Sequence, residues 1–216
     1  MFNPIVAIIT LAIILVSMTI HEAMHALVSY MLGDDTAKHQ GRLTFNPIKH
    51  IDPFMTVILP MTMLLLGGPV FGGAKPVPFN ARHIKYGHFG VAMVALAGPL
   101  TNLILAFVAF GVGVLTGVIG GDGGISASIW AVIILSAIRV NLGFFVFNMM
   151  PIPPLDGSRL LYAVAPDMIR EFMEKIEQYG LFVVFTIVLV MSNQIGQIMV
   201  FCINAIIDVF IKIFGV

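Results

Sequence analysis

The residues best equipped for chemistry are His21-Glu22-Ala23-Met24-His25, one carboxylate between two imidazoles inside an otherwise uncharged apolar run. On a helix, residues four apart fall about 40° from each other and one turn along, so His21 and His25 can grip one metal ion. Glu22 projects beside them, where it can take a proton from a water that the metal has acidified. A charge at the centre of a membrane helix costs about 2.5–3.5 kcal/mol on insertion scales, so such residues face a partner or a cavity. A pair of packed, hydrogen-bonded histidines is the bland alternative. The position of the motif argues against it.

That position follows from composition. Of 216 residues, 59% are hydrophobic and 10% charged, and the mean hydropathy is +1.02. So little polar surface cannot cover a water-soluble domain, which implies an integral membrane protein. Zero formal net charge and the lack of a basic block argue against nucleic acid as a partner. Cys202 is the single cysteine, so an internal disulfide and a cysteine-based metal site are excluded. No repeat or linker divides the chain, and one membrane domain over residues 1–216 is expected, with a catalytic core over about 3–157 and closing helices over about 158–216.

The elements that must position the motif are long apolar segments. Residues 2–31 exceed the roughly 20 needed to cross a hydrocarbon core of about 30 Å. His21 and His25 then lie about 9 to 15 Å inside the carboxyl end of that helix. Residues 33–53 are polar and broken, with a short strand expected at residues 42–45. His39, His50, Asp34, Asp35 and Asp52 could make a second metal site there, but without ligand spacing a solvated loop is the better expectation. Residues 54–73 are uncharged but interrupted by Pro60 and Gly67-Gly68-Pro69. The Gly72-to-Pro78 stretch reads as extended.

Two further spans follow, residues 89–121 and 129–150, joined by a glycine-rich turn. Arg139 is the one charge inside the second and is expected to be a structural staple. Residues 167–178 read as an amphipathic helix at the membrane surface, with Met168, Phe172 and Ile176 on one face. Residues 179–207 read as two closing helices. The fold class is therefore an all-α polytopic membrane protein, a three-helix core with a re-entrant or extended segment and a C-terminal helical hairpin.

A catalytic metal usually has three protein ligands and one open position. Among the acidic residues outside the motif, only Asp156 ends a span in a proline-rich turn, where its carboxylate could point back into the bundle. Asp-Gly is also an ordinary turn pair, and both readings stand on spacing alone.

Three pieces in order, His21-Glu22-Ala23-Met24-His25, Gly98-Pro99-Leu100-Thr101-Asn102 and Asn148-x-x-Pro151-x-Pro153-Pro154-Leu155-Asp156-Gly157, resemble the site-2 protease family of intramembrane zinc metalloproteases. The resemblance implies one Zn2+ per chain held by His21, His25 and Asp156, with Glu22 as general base. It implies that Asn148 steadies the substrate carbonyl, and that Gly98, Pro99 and Asn102 belong to a core-helix motif with a packing or catalytic role. Gly72-Gly73-Ala74 resembles the segment that holds an unwound substrate. The activity implied is hydrolysis of a peptide bond within or near a transmembrane segment of a protein or peptide substrate in the lipid bilayer. A metal-ion transporter or channel using the same cluster is the alternative, with ionisable residues along a path. Broken helices in both halves are expected of a transporter, and no internal repeat supports one.

For Asp156 to reach the histidines, both must lie on one side of the membrane, which requires residues 54–73 to enter and leave on the same face. Lys38, Arg42, Lys49, Lys75, Arg82, Lys85, Arg159, Arg170, Lys175 and Lys212 then share one side. By the positive-inside rule this places the site nearer the cytoplasm, with the plasma membrane of a prokaryote expected as the location.

Overall fold

The computed structural model describes residues 3–52, 75–120 and 128–216. Among them the fold is helical, without strands, and four helices are long and apolar enough to cross a membrane: α1 (Pro4–Met31), α3 (Gly87–Leu115), α4 (Ile129–Asn148) and α8 (Ser192–Phe214). With these spans the chain is an all-α polytopic membrane protein. Shorter helices α2 (Thr36–His39), α5 (Asp156–Val164), α6 (Asp167–Glu177) and α7 (Leu181–Val190) fill the ends.

Local chemistry sets the ends of the spans. Asn3 caps α1 by accepting from the Ile5 and Val6 amides, with Pro4 in the first turn where no amide is needed. Ser128 caps α4 through the Ala131 amide. Helix α3 packs between α1 and α4 and also carries α5. Lipid gives apolar helices no hydrophobic reason to associate, so close packing must hold them. Ala106 and Phe110 of α3 meet Ile134, Ile138 and Leu142 of α4 and Phe210 of α8 in one buried cluster. Gly111 and Gly113 make this possible, since a Cβ on the first would lie 2.9 Å from the Phe214 ring and one on the second 2.7 Å from Ile119.

At the end of α1 a buried carboxylate ties the chain down. Asp34 accepts from the Ser29 and Thr36 hydroxyls and from the Thr36 and Asn80 amides at 2.5–3.1 Å. Burial works to raise its pKa, but these donors hold it below the ordinary carboxylate range. The Lys85 amide donates to the Leu32 carbonyl, which fixes the start of α3 beside the end of α1. Loop 33–52 is therefore less solvated than expected at two points, Asp34 and His50, both fully buried. Hydrogen-bond partners replace water around Asp34, and the His50 Nε2 lies 2.9 Å from the Thr44 carbonyl.

The Lys75 amide donates to the His50 carbonyl at 2.9 Å, so the chain leaves and returns at one point on the side of the bundle where α1 ends. The expectations of a re-entrant segment over residues 54–73 and of substrate docking at Gly72-Gly73-Ala74 fall outside the described residues.

Three expectations are corrected. Residues 42–45 form a bend, because the Arg42 side chain turns inward to hold the Lys75 and Pro76 carbonyls at 2.6 and 3.1 Å. Arg139 is exposed and makes no ion pair among the described residues, so it is no staple. Lys212 lies at the end of the bundle opposite the other cations, because Phe214 and Val216 pack against Gly111 and Gly120 at the far end of α3. Its displacement has a geometric cause: α7 has only 10 residues, about 15 Å. Helix α8 alone crosses after α6.

Candidate metal centre

Helix α1 delivers His21 and His25 on its buried face, and α5 delivers Asp156 at its first position. The His21 Nε2 lies 3.2 Å and the His25 Nε2 3.4 Å from Asp156 Oδ2, while the two Nε2 atoms are 3.0 Å apart. The second imidazole nitrogen of each ring decides what these short distances mean. His25 Nδ1 is 2.7 Å from the Val94 carbonyl, which only accepts, so that nitrogen carries the proton.

For His21 the same conclusion comes through a chain of amides. The Asn141 side-chain amide donates to the Ala137 carbonyl at 2.8 Å, which turns its Oδ1 toward Asn102. Asn102 donates to that oxygen at 2.9 Å and so presents its own Oδ1 to His21 Nδ1 at 2.5 Å. His21 must donate. In the neutral ring each Nε2 is then the lone-pair nitrogen, and the two are aimed at each other and at a carboxylate oxygen. Three such ligand atoms within 4.8 Å of one another are placed to share one cation. Two imidazoles and a carboxylate are a donor set that zinc accepts, and their spacing fits one ion.

Backbone geometry leaves room for that ion. A Cβ on Gly98 would stand 2.4 Å from His25 Nε2 and 2.5 Å from His21 Nε2, so glycine keeps this wall of the site open. Pro99, next in α3, supplies no amide to the carbonyl of Ala95, one turn back, and it lies in the stretch where the Val94 carbonyl accepts from His25. Asp156 depends on another glycine. A Cβ on Gly157 would sit 2.3 Å from the Met149 carbonyl oxygen, so only glycine lets α5 start against the end of α4.

Glu22, between the two histidines in sequence, reaches residues 75–79. Its Oε2 accepts from the Val77 amide at 3.0 Å. Val77 lies between Pro76 and Pro78, so its amide is the one backbone donor of that tripeptide. Arg42, 6% exposed, holds the two carbonyls just before it with its guanidinium. Arg42 thus fixes the peptide that fixes Glu22. Arg42→Ala is expected to lower kcat about tenfold with KM and metal content little changed, as measured by steady-state cleavage beside metal analysis. An effect on KM alone would place Arg42 in substrate binding instead.

The structure brings His21, His25 and Asp156 together and sets Glu22 against Val77. Asn148, by contrast, donates to the Phe144 carbonyl one turn back in its own helix at 3.0 Å. The donors converge on one point, where a permeation path would string them out. Asn141 and the Val94 carbonyl were not foreseen. The first had a signal, a lone amide in the middle of an apolar span; the second had none, because any backbone carbonyl could have served.

A profile of peptidase family M50 matches residues 115–191, which include Asn148 and Asp156 but not the two histidines. A relative in Bacillus subtilis, YwhC, named as a candidate zinc metalloprotease, is 43% identical over 185 residues, covering 82% of this chain and 78% of its own. The chain belongs to peptidase family M50. This is the site-2 protease family that the ordered motifs resemble. Further relatives are named in the same way: Rip2 of Mycobacterium tuberculosis is 30% identical, with 84% of this chain and 66% of Rip2 covered. In Methanocaldococcus jannaschii, MJ0611 is 31% identical over 160 residues, covering 74% and 72%. No solved structure matches this M50 chain.

Proposed function

We propose that this M50 chain is a zinc-dependent intramembrane endopeptidase, cleaving a peptide bond within or near a transmembrane segment of a membrane-protein substrate. The convergence of two imidazole lone pairs and the Asp156 carboxylate beside Glu22, at membrane depth, carries the reading. The names of the curated relatives agree with zinc and with proteolysis. One Zn2+ per chain, held by His21, His25 and Asp156, would polarise the scissile carbonyl and lower the pKa of a water to about 7.

The side chains do the rest. Glu22 accepts the proton of the attacking water as the oxygen bonds to the carbonyl carbon, then gives it to the amine nitrogen as the C–N bond breaks. The Asn102–Asn141 chain and the Val94 carbonyl keep both imidazoles in the tautomer that presents Nε2. Asn148, at the end of α4 where the turn to Asp156 begins, steadies the substrate carbonyl once its amide leaves Phe144. A substrate helix hides its carbonyls in its own hydrogen bonds and must unwind before attack. The active site faces the cytoplasmic side of a prokaryotic plasma membrane, in keeping with the cations of loops 33–52 and 75–86 and of α5 and α6 at that end.

Cleavage of a single-span substrate in detergent tests this reading. The expected result is a chelator-sensitive cut, mapped by mass spectrometry to within or just beside the span. Cleavage confined to soluble segments, or unaffected by chelator, would refute it.

A further inference from the structure

Two charges on the membrane-spanning helices have no part in peptide cleavage, Arg139 on α4 and Asp208 on α8. Both side chains are exposed, and neither makes an ion pair among the described residues. Their depth makes this costly. Trp130, 68% exposed near the start of α4, is an interfacial anchor, and Arg139 stands nine residues further, about 14 Å deeper. Asp208 lies six residues before Phe214, about 9 Å inside the end of α8. Both lie along the same packed stretch of the bundle, where Ile138 beside Arg139 and Phe210 just past Asp208 belong to one cluster with Ala106. Lys212, one turn past Asp208, is close enough to the helix end to extend its ammonium into the headgroups.

Ionisable side chains at this depth ordinarily find a partner. We propose that Arg139 and Asp208 share one face of the bundle and that this face is the contact between two copies of this chain in the membrane, Arg139 of one protomer pairing with Asp208 of its partner and the reverse. A twofold contact must be self-complementary, and this chain offers one cation and one anion along that stretch. Two reciprocal pairs leave neither charge unmet. A foreign helix would have to bring a matching acid and base of its own.

The test is the dimer fraction of the full chain in phosphatidylcholine vesicles at falling protein-to-lipid ratio, counted by single-molecule photobleaching. Wild type is expected to dimerise, and Arg139→Glu and Asp208→Lys are each expected to weaken dimerisation about tenfold or more. Mixing the two variants is expected to restore dimers, because both contacts across a mixed pair then join opposite charges. Melting temperature checks folding; if a reversal unfolds the chain, Arg139→Gln and Asp208→Asn take its place, each expected to weaken dimers by a similar factor. A monomeric wild type, or substituted chains that dimerise like wild type, would overturn the proposal. So would a mixture that stays monomeric while the double variant within one chain is restored in melting temperature, since the pair would then be intramolecular.

Discussion

Glu22→Gln is expected to keep its metal and lose peptide cleavage by a factor of about 10²–10⁴, the usual worth of a general base. The substitution is nearly isosteric, and an amide oxygen can still accept from the Val77 amide, so residues 75–79 stay in place. Only the ability to take a proton from water goes. His21, His25 and Asp156 are untouched, and metal analysis should return the wild-type value. Single-turnover cleavage with saturating substrate is the appropriate measurement, because it separates the chemical step from binding. A variant that cleaves within a few-fold of wild type would remove Glu22 from the reaction.

The second large effect belongs to a residue with no side chain. Gly98→Ala would place a methyl carbon 2.4 and 2.5 Å from the two Nε2 atoms, distances that no real contact of this kind sustains. The rings cannot easily retreat, since each is held through Nδ1, one by Val94 and the other by Asn102. Loss of orienting contacts around a metal typically costs 10- to 100-fold in affinity, and steric intrusion at the donor atoms should cost at least about that much. Competition with a chromophoric zinc chelator measures it. Unchanged zinc affinity would mean that α3 does not approach α1 as described.

Much of the site was legible because helical periodicity carries it. His21, Glu22 and His25 sit within one turn and a half, and their relation follows from the helix alone. Asp156 was legible in part, from its place at the end of a span, with resemblance supplying the role. What could not be read was whatever depends on how one helix meets another. The Val77 amide reaches Glu22 across 55 residues, and the Asn102–Asn141 chain crosses 39. No local pattern announces either. Lys212 was assigned to the wrong end because hydropathy over residues 179–207 reads as two crossings, whereas the break at Met191 leaves α7 too short to make one. Arg139 was expected to be buried because a charge in an apolar span usually is, and its exposure is what gives it interest.

The account rests on three ligands from two distant segments meeting at one ion. Zinc content of the purified wild type beside Asp156→Asn tests this most directly. About one zinc per chain is expected in wild type, with a large loss in Asp156→Asn, since an amide is a far poorer zinc ligand than a carboxylate. Wild-type zinc content in Asp156→Asn, or no zinc in either protein, would contradict it.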